Sequence, residues 1–366
     1  MKAVFRVDAS VEIGTGHVMR CLTLAERLRQ KGAEIAFISR ELPGNLNAFI
    51  ESRGFFVHRL KKTDDKIEKI TNHSHWLSVD WKTDLYETIA ILQKQNKIDW
   101  LIIDHYAIDR HWEEKVWPFV KNIMVIDDLA DRKHECNILL DQNYYKNYRK
   151  RYDGIVPHHC LKLLGPQYVL LRSEFKSVKL ECKKRDGHIK RILIFFGGID
   201  LTNETAKSLE AIRLLKREDI KIDVVVGSAC PHKDQIKELC GVMPNVTYYC
   251  QVNHMADLMV KADLAIGAGG TATWERLFVG LPAITIITAE NQENILTALH
   301  EAGAVWNLGK SSKVCSKDIA SQVSYALTNP DIVRKMSEIG KSLMGNQDKC
   351  ENVLIRQLLG EDYDSN

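Results

Sequence analysis

Along the chain, short runs of apolar residues alternate with longer stretches in which apolar positions recur every three or four residues. The runs "AVFRV" (3–7), "EIAFIS" (34–39), "WLIID" (100–104), "IMVID" (123–127) and "ILLD" (138–141) are short and end in polar residues or turn signals. They predict buried strands. Between them, "HVMRCLTLAERLRQK" (17–31) and "DLYETIAILQKQ" (84–95) carry helical spacing. The alternation pauses over 149–190, which includes the mixed-charge run "KLECKKRDGHIKR", a stretch that cannot bury a core. It resumes with "ILIFFGG" (192–198), "KIDVVVG" (221–227), "NVTYY" (245–249), "ADLAIGAGG" (262–270) and "PAITII" (282–287). Such a series predicts parallel α/β sheets with helices on both faces. The expected organisation is a Rossmann-like domain over 1–165, a linker over 166–190, a second Rossmann-like domain over 191–345 and a C-terminal helix over 346–366. The two domains are expected to face one another across a cleft, with ligands beyond the carboxyl ends of the strands.

Composition narrows the class. A chain of 366 residues exceeds the usual single core. No apolar run approaches the roughly 18 residues that span a bilayer, and no basic-then-apolar leader opens the sequence. A cytoplasmic protein with no membrane partner is expected. Net charge is only +3, from 51 basic and 48 acidic residues spread throughout, which gives no reason to expect nucleic acid. "QNYYKNYRKRY" (142–152) interleaves tyrosines with basic residues and is read as a partly exposed segment. The nine cysteines form no CxxC pair, and Cys230, Cys240 and Cys250 stand ten apart, which is not a metal-ligand spacing. They read as reduced thiols. "HSH" (73–75) lacks a supporting ligand pattern and reads as a surface loop. Neither a metal nor a cofactor is expected.

Three glycine-rich turns carry the candidate chemistry. In "IGTGH" (13–17), Gly14 and Gly16 permit a tight turn and close approach of a ligand, and the following helix start favours an anion. A dinucleotide fingerprint needs a third glycine at 19, where the chain has Met19. His17 stands at the mouth of that helix, where the local field disfavours an imidazolium, and neutral imidazole is the form a general base needs. Asp8 could orient its ring or a water; a helix-capping role for His17 is the competing reading. "DHY" (104–106) ends a strand, so His105 and Tyr106 either line the cleft or pack within the loop. In the second half, "FFGGID" (195–200) places Gly197 and Gly198 after a strand, and "IGAGGTATWERLFVGLP" (266–282) places Gly269 and Gly270 before Thr271, a candidate helix cap. Glu275, one turn further, could accept from two ribose hydroxyls or remain a solvated helix residue. Asn291 and Gln292 in "TAENQEN" (288–294) could meet sugar hydroxyls or acetamido groups, or simply cap.

The ordered blocks "FRVDASVEIGTGHVMRCLTLAERL", "LIIDHY", "VIDDLADRKHECNILLDQNY", "LLGPQYVLLRSEF", "FFGGID", "ADLAIGAGGTATWERLFVGLPAI" and "AENQ" resemble the PseG type of UDP-2,4-diacetamido-2,4,6-trideoxy-β-L-altropyranose hydrolases of pseudaminic acid biosynthesis. That family has relatives linked to spore-coat polysaccharide and is similar to the peptidoglycan transferase that uses UDP-N-acetylglucosamine. The resemblance implies a GT-B fold, a C-terminal helix crossing back to the first domain, and His17 as catalytic base. It implies UDP held around 267–275 with Glu275 near the ribose, and Asn291 and Gln292 near the sugar nucleotide. Thr15, Arg20 and Tyr106 join Asp8, Gly14 and Gly16 as expected substrate contacts. The expected partners are a UDP-sugar and water, acting on a monomer. A glycosyltransferase of the same fold and a non-catalytic UDP-sugar-binding protein are the alternatives. The turn "GGIDLTNET" and Asn137, where an aspartate is expected, depart from the family pattern.

Overall fold

The computed structural model describes residues 1–63, 73–95, 97–178 and 185–361. Part of the mixed-charge run, 179–184, lies outside them. Contacts divide the chain into two compact units. One holds Met1–Asn143, Asn147–Leu170 and the stretch from Asn346 onward; the other holds Tyr144–Lys146 and Leu171–Gly345. The division between Leu170 and Leu171 falls inside the stretch read as a linker, and Ser173–Val178 there is helical.

The first unit is built on seven strands: β1 (Lys2–Val7), β2 (Glu34–Arg40), β3 (Phe56–Leu60), β4 (Ile98–Asp104), β5 (Val120–Ile126), β6 (Ile138–Asp141) and β7 (Leu161–Leu164). All are parallel, in the order β3-β2-β1-β4-β5-β6-β7. The second unit has β8 (Arg191–Phe195), β9 (Lys221–Val226), β10 (Val246–Cys250), β11 (Leu264–Ala268), β12 (Ala283–Ile287) and β13 (Trp306–Lys310), also parallel, in the order β10-β9-β8-β11-β12-β13. Every strand expected from the apolar runs is present. The runs missed β3, β7 and β13, all at sheet edges. Edge strands bury less, so their apolar signal is weak: β3 leaves Phe56 64% exposed, and β13 is only half-buried along "WNLG".

The period of the strands sets the layers. In β1, Ala3, Phe5 and Val7 pack under Leu24 and Leu28 of the Gly16–Gln30 helix, while Val4 packs on the opposite face with Ile38, Leu101 and Ile103. Arg6 also lies on that second face and is wholly buried. Its guanidinium bonds Asp8 at 2.7 Å and Asp84 at 2.5 Å, and Asp84 also receives Arg40 at 2.8 Å. Buried charges survive only when paired in this way. The Gln347–Leu359 helix packs on the first unit, with Leu354, Ile355 and Leu358 in its core and the Trp100 indole donating to the Leu358 carbonyl at 2.8 Å.

In both sheets the strand order reverses at one place, between β1 and β4 in the first and between β8 and β11 in the second. Such reversal points open a crevice at the carboxyl ends of the strands. The glycine-rich turns follow β1, β8 and β11, the strands that flank these crevices.

Candidate active site

In the first unit, Gly14 has φ +80°, a conformation that is cheap only for glycine, and its amide closes the turn onto the Ser10 carbonyl at 2.9 Å. The helix then begins at Gly16, with no side chain of Thr15 capping it. This delivers His17, buried, to the β1/β4 crevice. Val7 and Asp104 are register partners at the ends of β1 and β4, so the aspartate ending β4 meets the histidine that follows β1. His17 Nδ1 lies 2.6 Å from Asp104 Oδ1. A carboxylate acceptor there places the proton on Nδ1 and leaves Nε2 as the basic nitrogen.

Asp104 is held as an anion by its own partners. Arg20, one turn beyond His17, donates through Nε to Oδ2 at 2.6 Å and through Nη2 to Oδ1 at 2.7 Å. Burial opposes ionisation of Asp104, but Arg20 and then His17 outweigh it and hold the carboxyl well below the usual carboxylate range. The Arg20 fork continues to Asp128 at 2.9 Å, and Asp128 accepts from the Tyr106 hydroxyl at 2.5 Å. Burial first, and then Asp128, push the Tyr106 phenol well above its ordinary value. Its ring meets His17 edge-on, with centroids 4.6 Å apart at 82°. Trp76 stacks on Tyr106 at 5.2 Å, and His73 packs on Trp76 at 4.7 Å. One line of hydrogen bonds therefore links His17, Asp104, Arg20, Asp128 and Tyr106.

Several readings change here. The carboxylate that orients His17 is Asp104, not Asp8, whose oxygens face Arg6, the Arg40 amide at 2.7 Å and His105 at 3.2 Å. Arg20 is spent on carboxylates. The "HSH" stretch is only half a surface loop: His75 pairs with exposed Glu12 at 2.8 Å, but His73 joins the aromatic stack over His17. The tyrosine-rich segment is not simply exposed either. Tyr152 is buried, donating to the Asp127 carbonyl at 3.0 Å, and Arg151 pairs with Asp141. Asn137 accepts from the Ile123 amide through its side-chain oxygen at 2.9 Å, a bond that the expected aspartate could make as well.

In the second unit, Gly197 has φ +93° in the turn after β8, and a Cβ on Gly227 would stand 2.0 Å from the Gly198 carbonyl. Asp200 then caps the Glu204–Leu215 helix, accepting from Glu204 and Thr205 amides at 2.9 Å each. A carboxylate thus already occupies that helix start. After β11, Gly269 packs against Leu296 and Gln292 with no room for a Cβ. Thr271 makes no side-chain cap to the Ala272–Phe278 helix. Glu275 is not solvated: both oxygens are held by Arg172, at 2.7 Å from Nε and 2.9 Å from Nη2. A carboxylate has about four acceptor sites, so this fork leaves others for a ligand. Gln292 turns its amide oxygen inward, accepting from Thr288 at 3.0 Å and Gly269 at 3.3 Å, while Asn291 is exposed. Asp104, Asp128, Trp76 and Arg172 were missed because their partners are remote in sequence, although Asp104 ends a strand and Arg172 sits in "LLRSEF".

Two parallel α/β units with glycine turns at their reversal points define a protein of GT-B fold. Residues 191–347 match the model of the glycosyltransferase family 28 C-terminal domain. The whole chain superposes on Acinetobacter baumannii MurG with TM-score 0.66 at 12% identity, covering 98% of this chain and 99% of that one. It superposes equally on Arabidopsis thaliana UGT89C1 complexed with UDP, with TM-score 0.65 at 11% identity over 97% and 99%. In sequence it is similar to the UDP-2,4-diacetamido-2,4,6-trideoxy-β-L-altropyranose hydrolase of Campylobacter jejuni, 28% identical over 83% of this chain and 97% of that protein. It is 25% identical to the spore coat polysaccharide biosynthesis protein SpsG of Bacillus subtilis over 97% of both. An uncharacterised protein of Methanocaldococcus jannaschii is 29% identical over 80% of this chain, which spans only 57% of that protein's length.

Among the described residues, no helix is long and apolar enough to cross a membrane.

Proposed function

We propose that the protein hydrolyses a UDP-2,4-diacetamido-2,4,6-trideoxyhexose, releasing UDP and the free sugar for surface-glycan synthesis. The observation that carries this reading is the His17–Asp104 pair at 2.6 Å, at the reversal point of the first sheet. The Campylobacter relative named as such a hydrolase supports the substrate. UDP is a good leaving group, so the chemistry needs little acid assistance. What it needs is one water, positioned and deprotonated at the anomeric carbon. His17 Nε2 takes that proton while Asp104 stabilises the imidazolium that forms. Attack from the face opposite UDP inverts the anomeric centre and breaks the C–O bond. In this reading the turn after β11 holds the diphosphate, since Asp200 already takes the helix start after β8, and Glu275, fixed by Arg172, accepts from the ribose hydroxyls.

His17→Asn should lower UDP release by about 10²–10⁴-fold without abolishing UDP binding, measured by coupled assay and calorimetry. Near-wild-type turnover would sink the assignment. The family 28 match over 191–347 favours a second reading, transfer of the sugar to an acceptor. Incubation with UDP-sugar alone separates the two, since a transferase releases little UDP without acceptor. In ¹⁸O water, label in the sugar marks C–O cleavage, and label in UDP marks attack at phosphorus.

A further inference from the structure

Arg276 is a charge with no evident counterpart. It lies in the Ala272–Phe278 helix, 2% exposed, and no carboxylate among the described residues pairs with it. Its donors go to neutral acceptors, Nη2 to the Ala268 carbonyl at 2.7 Å and to Thr273 Oγ1 at 2.9 Å. Its Nε has no partner among the described residues. Glu275, the neighbouring acid, gives both oxygens to Arg172. Burial brings the Arg276 guanidinium down to about 10, with only a partial offset from Glu275. An interior cation in this state is costly.

The chain nevertheless makes room for it. A Cβ on Gly267 would stand 2.4 Å from the Phe195 carbonyl oxygen of β8 and 2.6 Å from Arg276 Nη1, so the first glycine of "GAGG" is required by the neighbouring strand and also leaves the space that the guanidinium occupies at the end of β11. Ala268 and Thr273, the two residues that Arg276 bonds, bracket Gly269, Gly270, Thr271 and Ala272. The positive charge therefore lies beneath the turn at the reversal point of the second sheet.

We infer that Arg276 is a buried counter-charge for the diphosphate of a nucleotide ligand, acting from behind the 268–273 turn whose exposed side takes the phosphates. This rests on the nucleotide reading of the turn. It predicts that binding strength depends on the ligand's negative charge through this one residue, whereas an arginine that merely shapes the turn would affect charged and uncharged ligands alike.

The test is calorimetry on the full chain with UDP, uridine and inorganic pyrophosphate. For the wild type, UDP should bind much more tightly than uridine, and pyrophosphate should bind measurably. In Arg276→Met, UDP affinity should fall about 10–100-fold while uridine affinity stays unchanged. Arg276→Lys, which retains the charge, should recover most of the loss. Equal weakening of UDP and uridine, or unchanged UDP binding in a folded Arg276→Met chain, would overturn the inference. Should Arg276→Met fail to fold, Arg276→Lys carries the test: UDP binding as weak as uridine binding in that variant is the overturning result. Failure of the wild type to bind either UDP or pyrophosphate would overturn the nucleotide reading itself, and this inference with it.

Discussion

At the scale of single residues, the first unit concentrates its ionic chemistry in two buried groups with different tasks. Arg6, Asp8, Asp84 and Arg40 neutralise one another where the Trp81–Gln93 helix covers the sheet, and are closed to solvent. Removing one partner strands the others, so Asp84→Ala should cost about 3–5 kcal/mol of stability, measured by denaturant unfolding. The second group, His17, Asp104 and Arg20, adjoins Asp128, whose side chain is 12% exposed. Asp104→Asn keeps the shape but replaces the anion that orients the ring and stabilises its charged form. On the proposed function, turnover should fall by about 10²–10⁴-fold while UDP affinity, which that proposal assigns to the second unit, is retained; steady-state kinetics and calorimetry check the split. Asp8 and Asp104 are both held below the usual carboxylate range, because Arg6 and Arg20 outweigh the burial that works against them. The folded chain thus releases these protons more readily than the unfolded chain, whose aspartates titrate near about 3.9. Their stabilisation is fully present above about pH 5 and is lost as pH falls below about 4. The denaturation midpoint should follow that course, and Asp104→Asn should flatten it.

At the scale of elements, backbone conformation decides where the histidine points. Gly14 holds φ +80° in open space, so an added methyl meets no neighbour and only the backbone conformation resists it. Gly14→Ala should cost roughly 1–2 kcal/mol. If the turn aims His17, catalysis should suffer beyond that stability loss, which a comparison of Tm with kcat would reveal. The same logic explains which elements were legible. β1, β4, β5, β8 and β11 are buried on both faces, and their apolar runs announce them. The edges β3, β7 and β13 are half-covered, so their composition drifts toward that of loops. The paired partner of His17 was hidden for a different reason. An aspartate ending an apolar run reads as a strand terminus, and nothing local says that strand β4 will lie beside β1.

At the scale of the molecule, the first unit is completed by a segment distant in sequence. Trp100 in β4 donates to Leu358, and Arg27 pairs with Glu351 at 2.8 Å. Leu358→Ala should destabilise this unit by about 2–5 kcal/mol and leave the second unit's transition in place, which domain-resolved hydrogen exchange can read. Local sequence was enough to specify the α/β class, the two-part organisation of the glycine turns, and the presence of His17 at a helix mouth. Those features rest on local periodicity and on backbone conformations that only certain residues adopt. Tertiary packing was needed to set Asp104 rather than Asp8 against His17, to hold Glu275 by Arg172, and to leave Arg276 under the turn with no paired carboxylate among the described residues. Each depends on strand order, and the reversal of that order at β1/β4 and β8/β11 brings together residues whose separation along the chain carries no local signal.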